Sequence, residues 1–189
     1  MKLHKIYLTL LAAIIAMPVV NADDDKEEGF TSWLFSVERK NEVRPVKDKL
    51  YQEECSACHF AYQPGLLPEA SWKKLMQPKS LEDHFGENAE LDEETRKHIE
   101  TYLAKHSADK SMYKRSRKIM ASLKSGQAPL RIIDIPYIKR KHDEIPNKMI
   151  KANDKVKALS YCDKCHQDAK AGNFDDDSVR VPGYEKHDW

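Results

Sequence analysis

Beyond its first 22 residues the chain contains no long apolar run, and it has no low-complexity tract and no repeat outside one short motif. Charge of one sign is missing too. The formal net charge is +1 over 189 residues, so no global field draws the protein to nucleic acid or to a membrane surface. Cysteine is scarce. Only four are present, and none stands alone: they form the pairs Cys55/Cys58 and Cys162/Cys165. Scattered cysteines in an exported protein suggest a disulfide framework, but two C-x-x-C pairs raise a different question.

The N-terminus fixes the compartment. Lys2 and Lys5 precede an almost wholly apolar stretch from Ile6 to Val20, and "VNA" ends at Ala22 before an acidic run. A basic head, a short apolar core and small residues at a cleavage point make a secretory signal peptide over residues 1–22. An uncleaved anchor is the alternative, although a spanning helix needs about 20 apolar residues. Cleavage after about Ala22 leaves 189 − 22 = 167 residues and removes two lysines, so the formal charge becomes 30 − 31 = −1. That charge is unevenly spread. Residues 109–160 hold 14 basic and 5 acidic side chains, whereas 47–108 hold 8 and 12 and 161–189 hold 4 and 7. The basic middle is either a solvated face or a surface for acidic groups.

Periodicity and punctuation indicate a mainly α protein of two lobes, 46–108 and 109–189, behind an acidic tail over 23–45. In the tail, Phe30, Trp33, Leu34 and Val37 follow helical spacing. Val46 and Leu50 lead into the first cysteine pair. Pro68 opens a helix through Trp72, Leu75 and Met76, and Pro78 is expected to stop it, with a loop over 79–90. Asp92 is placed to cap the next helix, whose stripe is Leu91, Thr95, Ile99, Tyr102 and His106. A basic helix is expected over 108–125, with Gly126 suited to its end. The stretch "APLRIIDIPYIKRKHDEIP" is β-branched and interrupted by proline, which predicts extended chain. The second pair is expected in a helix of its own, ended by Gly172.

A histidine follows each pair at once: "CSACH" at 55–59 and "CDKCH" at 162–166. Cysteines three apart on a helix face one way and can reach two vinyl groups on one haem edge. The next residue can turn its imidazole beneath the iron, which is the pattern of c-type attachment. Zinc is the first rival, as two C-x-x-C pairs can supply four thiolates. It gives no reason for a histidine after each, and with 8 histidines in 189 residues the double coincidence is roughly 0.2 %. A redox dithiol needs no such histidine either and comes with a βαβ pattern missing here. Export agrees with haem, because c-type attachment takes place outside the bacterial inner membrane.

The far side of each iron decides between a carrier and a catalyst. A methionine there raises the potential, and an open position admits small molecules. For the first haem, His84 lies in the loop before the long helix, free to turn inward. His98, His106 and Met76 are rivals better explained as ordinary helix residues. For the second, His142 closes the "IPYIKRKH" stretch, with Met149 and His187 as alternatives.

At these residues the sequence resembles the dihaem cytochrome c family of bacterial periplasms. The resemblance rests on "ECSACHFAYQPGLLPEASWKKLM", "LEDHFGENAELDEET", "IETYLAKHSAD", "RIIDIPYIKRKHDEIP" and "CDKCHQDAKAGNF", and covers about Tyr51 to Phe174. It implies an N-terminal lobe like a class I cytochrome c and a less regular second lobe with extended segments. It also implies two covalent c-type haems on Cys55, Cys58, Cys162 and Cys165, with His59 and His166 as proximal and His84 and His142 as distal iron ligands. The task it implies is passing electrons to or from a small high-spin, oxygen-binding cytochrome c, with a membrane cytochrome b as donor. An electron carrier in the periplasm, not an enzyme, is therefore the expectation; the alternative is a small dihaem peroxidase or reductase with one haem open to substrate.

Overall fold

The computed structural model describes residues 41–185; the expected signal peptide, the tail before residue 41 with Phe30 to Val37, and His187 lie outside the described residues. Helix α1 (Lys49–Cys55) starts at Asp48, whose carboxylate accepts the Tyr51 N–H at 2.9 Å. That interaction satisfies a donor that the first helical turn cannot. The same carboxylate accepts from His98 Nε2 at 2.8 Å, tying α1 to a helix 50 residues away. After a single 3₁₀ turn, Pro64–Leu66, come α2 (Glu69–Leu75) and α3 (Pro78–Glu82). The longest helix, α4 (Glu93–Lys105), is capped by Asp92 as expected, through the Thr95 N–H at 3.0 Å. Helices α5 (Lys114–Ser122) and α6 (Pro136–Lys141) complete the regular structure. The rest is short 3₁₀ turns, and among the described residues there is no strand, only the isolated bridges His84–Glu87 and His166–Val179. No described helix is long and apolar enough to cross a membrane.

Helices α2 and α4 pack together, bringing Trp72 and Leu75 against Ile99 and Leu103, all buried. Burying side chains of this size stabilises by about 1.5–3 kcal/mol each. The indole of Trp72 also donates to the Pro64 carbonyl at 2.7 Å, so its one polar atom is satisfied inside the core. The core runs on without a break from Val43 to Ile119, Ile135, Tyr137, Ala169 and Phe174, and the described residues belong to one compact unit. Three ties join its early and late parts. The Val43 N–H donates to the Gly172 carbonyl at 3.0 Å. Buried Gln63 donates to the Ala169 carbonyl at 2.5 Å. Arg115 reaches Glu42 at 2.5 Å, the Tyr137 hydroxyl at 3.2 Å and the Phe174 carbonyl at 3.2 Å.

The local structure departs from the sequence expectation in four places. Pro78 ends α2 but opens α3 within the expected loop, because proline at the first helical position loses only an N–H that had no partner. Pro136 does the same for α6, so the end of the "APLRIIDIPYIKRKH" stretch is helical and not extended. The expected helix over 108–125 is a 3₁₀ turn, Ala108–Lys110, then α5, which ends at Ser122, before Gly126. Around the second cysteine pair the chain makes two separate 3₁₀ turns, Cys162–Lys164 and Ala169–Ala171, in place of one α-helix. Gly172 does terminate the latter, with φ of +81°.

Candidate functional site

Helix α1 delivers Cys55 at its last residue, half-buried, and the turn beyond carries the exposed Cys58 and then His59. The Nδ1–H of His59 donates to the adjacent Phe60 carbonyl at 2.9 Å. A carbonyl only accepts, so that bond fixes the tautomer and leaves Nε2 with its lone pair for a metal. Tyr62 stacks on the ring at 4.5 Å and 29°. The His84 ring lies 6.5 Å from the His59 ring, at 31°. His84 is brought there by a tight turn: its N–H donates to the Glu87 carbonyl at 2.7 Å, and the two central residues, Phe85 and Gly86, have φ of +59° and +102°. Such a turn needs positive φ twice, which glycine adopts freely and phenylalanine does not.

The second pair sits on the 3₁₀ turn Cys162–Lys164, capped by Cys165. Side chains three apart in a 3₁₀ turn eclipse one another, so this geometry aligns the two sulphurs as well as an α-helix would. The His166 ring is 6.0 Å from the His142 ring, at 68°, and 5.4 Å from Phe174, edge-on. His142 is the capping residue of α6, and its Nδ1–H donates to the Ile138 carbonyl at 2.7 Å. In the neutral imidazole that bond again places the lone pair on Nε2.

Each site thus pairs a histidine anchored through Nδ1 with one whose Nδ1 is buried without a partner, His84 in the first and His166 in the second. Burial holds both of the latter in the neutral form. It lowers the His84 pKa, helped by the nearby His59 and Arg131, and brings that of His166 down to about 4, helped by His142 and Arg115. Burial pushes the Cys55 thiol up to about 11 and the Cys162 thiol up to about 12. These are not the low-pKa thiolates of a redox dithiol. Neither pair is a disulfide, and among the described residues no group of three or more His, Cys, Asp or Glu gathers at one point.

This donor set suits a haem. Metal–imidazole bonds of about 2 Å put the ring centroids of two histidines on opposite faces of one iron about 6 Å apart. The observed 6.5 Å and 6.0 Å agree with that spacing. The other candidates have other occupations: His98 bonds Asp48, His106 meets Tyr102 edge-on at 4.9 Å, and Met76 and Met149 are buried in apolar packing. Sequence reasoning did not single out Tyr62, Arg115 or Phe174, each of which also has a partner distant in the chain. Tyr62 in particular donates its hydroxyl proton to the Ser160 carbonyl, and burial raises its pKa far above the usual tyrosine range.

Comparison with known proteins follows the same lines. The family described as dihaem cytochrome c matches residues 51–174. Among solved structures, a diheme cytochrome c from Rhodobacter sphaeroides is 43% identical, with a TM-score of 0.61 over 70% of this chain and 100% of that one. A diheme cytochrome type c from Shewanella baltica OS155 is 36% identical, with a TM-score of 0.59 over 73% of this chain and 95% of that one. No curated protein matches.

Proposed function

The chain belongs to the dihaem cytochrome c family, and from that premise we propose that it is an exported carrier of single electrons whose two haems are each held between two histidines. The family carries two covalent c-type haems and performs haem-based electron transfer. In this chain Cys55 and Cys58 would hold the first haem and Cys162 and Cys165 the second, with His59/His84 and His142/His166 as the axial pairs. The single observation that carries the ligand assignment is the spacing of those two ring pairs, 6.5 Å and 6.0 Å, between residues 25 and 24 positions apart in sequence.

Bound in this way, the haems supply a reversible one-electron change at iron and no open position for substrate. The protein's own residues do the rest. The Phe60 and Ile138 carbonyls orient His59 and His142 and make them better donors. Phe174 packs against the edge of His166, and the His84 turn sets the height of its imidazole. Two imidazoles with no methionine favour low potentials for a c haem. The partners we propose are a small oxygen-binding cytochrome c and, as donor, a membrane cytochrome b. The excess of lysine and arginine over 109–160 supports docking with an acidic redox protein. Carbon monoxide added to the reduced holoprotein is the test: no spectral change is expected. A CO complex at either haem would turn the reading toward a peroxidase or reductase.

A further inference from the structure

Between the two haem sites lies one continuous chain of contacts, and it is centred on Tyr62. The ring of Tyr62 stacks on that of His59 at 4.5 Å. Its hydroxyl donates to the carbonyl oxygen of Ser160, 98 residues on. That same oxygen lies 3.7 Å from the sulphur of Cys162. Conversion of the thiol to a thioether removes the S–H donor, so what this place then offers is a van der Waals contact between sulphur and carbonyl oxygen. The proximal ligand of the first haem is thereby joined to the covalent attachment point of the second through one side chain and one carbonyl.

Tyr62 is held in place from two further directions. The Tyr51 hydroxyl donates to the Tyr62 carbonyl at 2.7 Å, and Phe60 meets the ring edge-on at 4.8 Å. A side chain clamped at ring, hydroxyl and backbone keeps one geometry, which an electronic path requires and a space-filling residue does not. Electronic coupling decays less steeply through bonds, hydrogen bonds and stacked rings than across gaps.

We infer that Tyr62 is the bridging residue for electron exchange between the two haems. The inference rests on the haem assignments proposed above. In the step itself one electron leaves one iron, which passes from Fe(II) to Fe(III), and reaches the other, which passes from Fe(III) to Fe(II). No proton moves and no bond is made or broken, so Tyr62 is neither oxidised nor deprotonated.

The test is magnetisation-exchange NMR on haem methyl signals of the half-reduced holoprotein, diluted until exchange between molecules drops out. It compares wild type with Tyr62→Phe and Tyr62→Leu, alongside EPR spectra and both midpoint potentials. Tyr62→Phe keeps the ring and removes the hydroxyl contact; a several-fold slower intramolecular exchange is expected, with low-spin signals and potentials unchanged. Tyr62→Leu, which also removes the stacking, should slow exchange by a larger factor. A wild-type exchange rate in Tyr62→Phe overturns the bridge whatever Tyr62→Leu does, as does a slowing fully accounted for by a shifted potential. A high-spin haem in the wild-type EPR spectrum would instead count against the ligand assignments, so the two failures are told apart.

Discussion

His142 and His166 face each other with ring centroids 6.0 Å apart, one capping α6 and the other following the turn Cys162–Lys164. The relationship depends on Pro136 starting a helix. Helix α6 carries Ile138, whose carbonyl takes the His142 Nδ1–H, and it ends where His142 must stand.

If this pair and the His59/His84 pair are axial ligands, removing one distal ring has a local effect. His142→Ala and His84→Ala should each convert one haem to high spin and leave the other low-spin, as read by optical and EPR spectra of the holoprotein. A wild-type spectrum from either variant would mean that ring is not a ligand.

Gly172 joins the second site to the start of the described chain. Its φ is +81°, and a Cβ there would lie 2.3 Å from the Val43 carbonyl oxygen. Gly172→Ala should lower stability by about 2 kcal/mol or more, adding a backbone clash to the left-handed penalty of about 1–2 kcal/mol. Urea unfolding of the holoprotein checks this. Gly183→Ala, also at positive φ but with nothing within 4 Å, should cost less.

Arg115 binds Glu42, Tyr137 and the Phe174 carbonyl from a side chain only 11% exposed. Arg115→Ala leaves Glu42 without its cation and should destabilise by about 2 kcal/mol. Arg115→Lys keeps the charge but not the planar fork, and should recover less than half of the loss. Denaturant midpoints at constant slope give the comparison.

Acid should release one tie between the start of α2 and the segment after α4. Hydrogen bonds from Lys110 and Lys73 bring the Glu69 pKa from 4.5 down to about 2. A carboxylate depressed in the folded state contributes stability above its unfolded pKa and loses it as pH falls through the folded one. Its contribution should therefore be full above about pH 4.5 and fade toward about pH 2. Glu69→Gln should lower the melting temperature slightly near neutrality and flatten its profile over that window, so that the variant and wild type converge toward about pH 2.

Much of the chemistry was legible because its ligands are contiguous. "CSACH" and "CDKCH" carry the proposed thioether positions and proximal histidines within five residues each, and no long-range folding is needed to see them. The proposed distal ligands, His84 and His142, were suggested by position and by family resemblance, and each falls beside a helix boundary. The local form of the second site was not. Its turns are 3₁₀ pieces of three residues, too short to leave a period, and Pro136 reads equally as breaker or starter until the packing of Tyr137 decides. Tyr62 and Arg115 left no sequence signal, since their partners, Ser160 and Glu42, stand 98 and 73 residues away. Only the shared core brings them together.

The most direct test of the account is a redox titration of the intact holoprotein followed by optical and EPR spectroscopy. Two one-electron steps are expected, both at potentials below that of a haem with a methionine ligand, with every ferric signal low-spin. A full equivalent of high-spin ferric haem before any reductant is added would contradict it.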